Sequence, residues 1–62
     1  MRTITFSVFQ DGHMPSSMWI VRLLDEGRDL RFASDNAAWL FVEGMKHVAD
    51  LAGIRMTRVE VK

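Results

Sequence analysis

The side chains best suited to metal or proton chemistry in this 62-residue chain are its two histidines, His13 and His47. Each has an aspartate close by, Asp11 before His13 and Asp50 after His47. A structural zinc site needs four ligands at short, recognisable spacings. Neither pair has that spacing, and there is no cysteine to complete a set. Ser16 and Ser17 lie outside any nucleophile motif. The acidic residues are dispersed over turn and helix-surface positions, so no carboxylate pair for acid–base work can be assembled. Gly12 and Gly27 stand alone as turn glycines, not as a phosphate-cradling loop. No catalytic residue, metal or cofactor is expected, and the chain reads as a non-catalytic protein.

Bulk properties point the same way. A domain this short buries only about 60% of the surface its unfolded chain exposes. Small domains are commonly reinforced by disulfides, metals or oligomerisation. With no cysteine, disulfides and thiolate metal sites are excluded. Hydrophobic residues make up 48% of the chain, which argues against disorder. Eight basic and eight acidic residues cancel to a formal charge of zero. That gives little repulsion against self-association and no net basic footprint for nucleic acid. No apolar run reaches membrane-spanning length. "MRTITFSVFQ" lacks the continuous apolar region and cleavage site of a signal peptide. A cytoplasmic protein is expected.

The elements follow from periodicity. "TITFSVF" alternates, with Ile4, Phe6 and Val8 on one side and Thr3, Thr5, Ser7 and Phe9 on the other, and predicts a strand over 2–9. "QDGHMPSS" gathers turn formers into a loop. "MWIVRLL" predicts a second strand over 18–24, apolar on both faces apart from Arg22. "DEGR" is a hairpin turn, and "DLRFA" a short third strand with Leu30 and Phe32 inward and Arg31 outward. Ser34 or Asp35 caps a helix over about 35–52, which Gly53 ends. "RMTRVEVK" predicts a last strand over 55–61, with Thr57, Val59 and Val61 toward the helix and Met56, Arg58 and Glu60 away from it. The fold class is α+β, a single domain of order β-β-β-α-β. Its four-stranded, mostly antiparallel sheet has the spatial order 3-2-1-4, with the helix packed on one face.

This order is similar to that of the HicB-like antitoxin domain, a partial ribonuclease-H-like fold. "MWIVRLL" and "FASDNAAWLFVEGMKHVADLAG" fall where that family has its second strand and its helix. The family's Pro-Asp-Leu-Pro-Gly signature is replaced by "DEGRDLRFA", so no functional residue carries over.

Two apolar surfaces are left without a partner. The expected core stripe of the helix is Ala38, Phe41, Met45, Val48 and Ala52. Leu40 and Leu51 extend it on one side, Val42 and Ala49 on the other, making an apolar arc roughly 200° wide. Trp39 falls beyond even that arc, roughly 160° from Phe41, among Glu43, Lys46 and Asp50. Trp39, Val42 and Lys46 are therefore the candidate partner-binding patch, the alternative being an indole that lies flat under Lys46. Gly44 implies either close helix–sheet packing or the close approach of a partner backbone. The outer sheet face would carry Phe9, Met18, Ile20, Leu24 and Met56, a candidate oligomer interface. Arg22, Arg31 and Arg58 would share that face, and arginines beside an exposed Phe9 on an open sheet could bind single-stranded nucleic acid.

The expected function is a small protein-interaction module, a regulator, inhibitor or accessory subunit. It would act on another protein and form a homodimer through the outer sheet face. An antitoxin-like, phage or other mobile-element protein fits this description. The alternative is a nucleic-acid-binding module that uses the three arginines.

Overall fold

The structure is a computed structural model and describes residues 2–60. Its elements run β1 Thr3–Gln10, β2 Trp19–Leu23, β3 Arg28–Phe32, α1 Asp35–Leu51 and β4 Arg55–Arg58. The sheet order is β3-β2-β1-β4, as the sequence predicts. The first three strands form an antiparallel meander. α1 then carries the chain across the sheet, so that β4 joins the far edge parallel to β1. No helix among the described residues is long and apolar enough to cross a membrane.

The alternation of β1 sorts its side chains as the sequence implies. Phe6, Val21, Leu23, Ala38 and Val42 form the buried core, with Ile4, Val8, Trp19, Leu30 and Phe32 packed around it. All of the strand residues in this set face the helix. Beyond the end of β2, the Leu24 N–H donates to the Thr5 carbonyl, and the Thr5 N–H donates to Asp25 Oδ2 at 2.6 Å.

The helix begins where its cap can serve it. The extended backbone of Ser34 lets its Oγ accept from the Ala37 N–H at 3.1 Å, satisfying a first-turn donor that has no partner within the helix. At the other end Gly53 adopts φ 72°, which only glycine tolerates readily. Two bonds close that end, from the Ile54 N–H to the Ala49 carbonyl at 2.8 Å and from the Gly53 N–H to the Asp50 carbonyl at 3.1 Å. This pairing is a Schellman motif, and it turns the chain directly into β4.

Two phases differ from the sequence prediction. The buried helix residues are Ala38, Val42 and Ala49, not the stripe through Phe41 and Val48. Relative to expectation the helix is rolled by about 60° around its axis. The apolar arc is too wide for one sheet to cover, so packing decides which part is buried. Small Ala38 and Ala49 let the backbone come down close to the sheet, while Val42 fills the centre. The roll also brings Trp39 from the charged side to the edge of the core, where it is half-buried.

The phase of β4 is also inverted. Its parallel register sets Met56 beside Ile4 and Arg58 beside Phe6. In-register neighbours point to the same face. Met56 and Arg58 therefore lie on the helix side, and Thr57 lies on the outer side with Thr5. β4 ends at Arg58, and the expected inward Val61 lies outside the described residues.

Candidate functional site

The outer sheet face is built from two cross-strand rows. One is Phe9, Ile20 and Arg31, and the other is Ser7, Arg22 and Asp29. Arg22 organises both. Its guanidinium makes a two-point bond to the Asp29 carboxylate, Nε to Oδ1 at 2.8 Å and Nη2 to Oδ2 at 3.0 Å. It also lies 5.0 Å from the centre of the Phe9 ring. The hydrogen bond from Arg22, reinforced by its charge, holds the Asp29 carboxyl below its ordinary value. The same bond and the charge of Asp29 raise Arg22 further. From the neighbouring row Arg31 reaches the loop and bonds Asp11 Oδ2 at 3.2 Å.

These pairs change what the outer face offers. Ile20 is only 2% exposed and belongs to the interior of the chain. Phe9 is half-buried beneath Arg22. Met56 is on the other side of the sheet. Of the five apolar residues expected to form an oligomer interface here, Met18 and Leu24 remain exposed. Ser7 is fully buried between its neighbours, and its Oγ has no hydrogen-bond partner among the described residues.

The three arginines are not brought together. Arg22 and Arg31 share the outer face, each held by a carboxylate of its own chain. Arg58 stands on the opposite face, with its guanidinium carbon 4.9 Å from the centre of the Trp39 ring. The cation stacked on the indole is thus Arg58 from β4, not Lys46 from the helix. Trp39, Val42 and Lys46 likewise do not form one surface. Val42 is buried in the core, Trp39 is half-buried under Arg58, and Lys46 alone is exposed.

Lys46 instead lines an open cleft of about 590 Å³ between α1 and β4. Glu43, His47 and Asp50 border it from the helix, and Arg55 and Met56 from the strand. Charges of both signs lie around it, and among the described residues no hydroxyl or thiol lines it. Among the described residues no group of three His, Asp or Glu side chains is placed to hold a metal ion.

The most continuous unpartnered apolar surface lies on the helix. Leu40 and Val48 are each 65% exposed and Leu51 is 78% exposed. Phe41 is partly covered, its ring lying 5.2 Å from that of Phe32. These residues surround Gly44 on the part of the apolar arc that the roll of the helix turns away from the sheet. A shallow apolar groove runs along Leu40, Phe41, Gly44, Met45 and Val48. A side chain placed on Gly44 would meet nothing within 4 Å. Close packing against the chain's own sheet is therefore not the reason for this glycine.

By sequence all four large residues fall in or beside the core. A signal for their exposure was nevertheless present. Ala37, Phe41, Gly44, Val48 and Leu51 repeat at alternating steps of four and three, which is the spacing of a helix–helix seam. The chain matches no family model, no curated protein and no solved structure.

Proposed function

We propose that this chain is a small, non-catalytic protein-interaction module whose docking element is the outward face of α1. One observation carries the reading: Leu40, Phe41, Val48 and Leu51 form a single apolar strip on a helix already anchored to the sheet by its other side. A contiguous exposed patch of this kind, free of charged residues, is characteristic of protein interfaces. A regulator, inhibitor or accessory subunit, antitoxin-like or otherwise, is the class of protein that fits. Nucleic-acid binding finds less support, because Arg22 and Arg31 are each paired with a carboxylate of the chain and the formal charge is zero.

The test is the variant Leu51→Glu. Leu51 supports no core contact, so the variant keeps the wild-type circular dichroism spectrum and, at high dilution where copies are apart, the wild-type denaturation midpoint. It is expected to lose association, whether measured as solution mass or as proteins retained on the immobilised chain. An unchanged mass together with an unchanged set of retained proteins would overturn the reading.

A further inference from the structure

Resting on that reading, we infer that the occupant of the helix face is a second copy of this chain, docked antiparallel with Gly44 of both copies meeting at the two-fold axis. The arrangement of residues around Gly44 is self-complementary. Phe41 lies three positions before it and Val48 four after, so an antiparallel mate sets Phe41 of one copy against Val48 of the other. The same operation sets Leu40 against His47. It also sets Leu51, the most exposed of the large residues, against the small Ala37. A two-fold interface requires this kind of reciprocity, in which one patch is its own partner.

Gly44 is what allows close contact. Its Cα faces open space, and the absence of a side chain at the centre of the seam lets two helix backbones approach each other. Inside a monomer an exposed mid-helix glycine only weakens the helix, by about 1 kcal/mol relative to Ala. In the dimer it is the point of closest approach. The electrostatics agree. No charged side chain lies on the strip, and antiparallel helices place opposite ends of their dipoles side by side.

The area is sufficient. The exposed strip amounts to on the order of 500 Å² per copy. The chain exposes 4648 Å² in all, and a specific interface typically covers about a tenth of a small protein's surface. Covered completely, the strips of two copies would bury about 1,000 Å², the lower bound for a specific interface. Among the described residues the outer sheet face keeps only Met18 and Leu24 exposed of its large apolar side chains, since Ile20 is buried and Phe9 is covered by Arg22.

The experiment combines solution mass with a geometric probe. Light scattering over a concentration series is expected to find wild type at twice its 7.1 kDa. Gly44→Leu, which has room in the monomer, is expected to stay folded and run as a monomer. The natural chain has no cysteine, so single-cysteine variants report proximity without interference. Gly44→Cys is expected to form a covalent dimer on mild oxidation, since the two Cα atoms come within disulfide reach of about 4.4–6.8 Å. Met18→Cys on the outer face is expected to stay uncrosslinked. A monomeric wild-type chain overturns the inference, yet leaves the strip free for a foreign protein and the module reading intact. A dimer that crosslinks through Met18→Cys and not Gly44→Cys also overturns it. If Leu51→Glu loses no association of any kind, the module reading fails as well.

Discussion

Arg22 shows how single side chains close a surface that the sequence leaves open. It spans from Phe9 on one neighbouring strand to Asp29 on the other, and the register alone brings those two within its reach. Both charged partners stay more than a third exposed, so their attraction is screened and their contribution modest. Its sign is definite. The folded-state value of Asp29 lies below its unfolded one. The pair's contribution is therefore fully present above the ordinary carboxylate range, about pH 4, and is lost as pH falls through the lower folded-state value. The expected outcome is that Asp29→Asn lowers the urea midpoint at pH 7 and that its difference from wild type shrinks in acid. Denaturation curves at both pH values check this, and a difference that widens in acid would contradict it. From sequence Arg22 reads as one of three arginines on the outer face with no identified carboxylate of its own, because Asp29 is seven residues away along the chain and becomes its neighbour only across the β2–β3 ladder.

The elements differ in how much of their geometry the sequence reveals. β1 is readable in its facing, because Ile4, Phe6 and Val8 share one parity while the other is polar apart from Phe9. β4 is not, because "RMTRVEVK" has apolar residues on both parities, Met56 on one and Val59 on the other. Its parallel register with β1 decides the matter, and register is a tertiary property. The helix is readable in extent, cap and stop, but not in phase. Its apolar arc fits several rotations, and burying Trp39 and Val42 in place of Val48 is settled by how the alanines seat on the sheet. A matched pair of substitutions tests this roll. Val42 is buried and Val48 is 65% exposed. Val42→Ala is expected to cost about 2–3 kcal/mol by leaving a cavity in the core. Val48→Ala is expected to change monomer stability by no more than about 0.5 kcal/mol. Urea denaturation of both variants in the Gly44→Leu background, where copies are apart, measures the difference. Equal costs would return Val48 to the core and refute the observed roll.

At the scale of the whole molecule, the chain's small size and its unpartnered helix face are two aspects of one problem. One sheet can seat only part of an apolar arc this wide, and the described residues contain one helix to cover one sheet face. The core that results rests on a handful of fully buried side chains. The part of the helix left over is placed where it can add burial only by meeting another molecule. If that molecule is a second copy, folding and association are linked, and stability depends on protein concentration. The wild-type melting temperature is then expected to rise by about 4–8 °C for each tenfold increase in concentration, given the unfolding enthalpy typical of a domain this size. Gly44→Leu is expected to melt at a temperature independent of concentration, above the dilute limit of the wild type because it removes the helix cost of Gly44, and the wild-type midpoint passes it only as concentration rises. Scanning calorimetry across a dilution series measures both. A wild-type midpoint that stays constant would mean that the exposed strip contributes nothing through self-association, and that the chain's own core carries its stability alone.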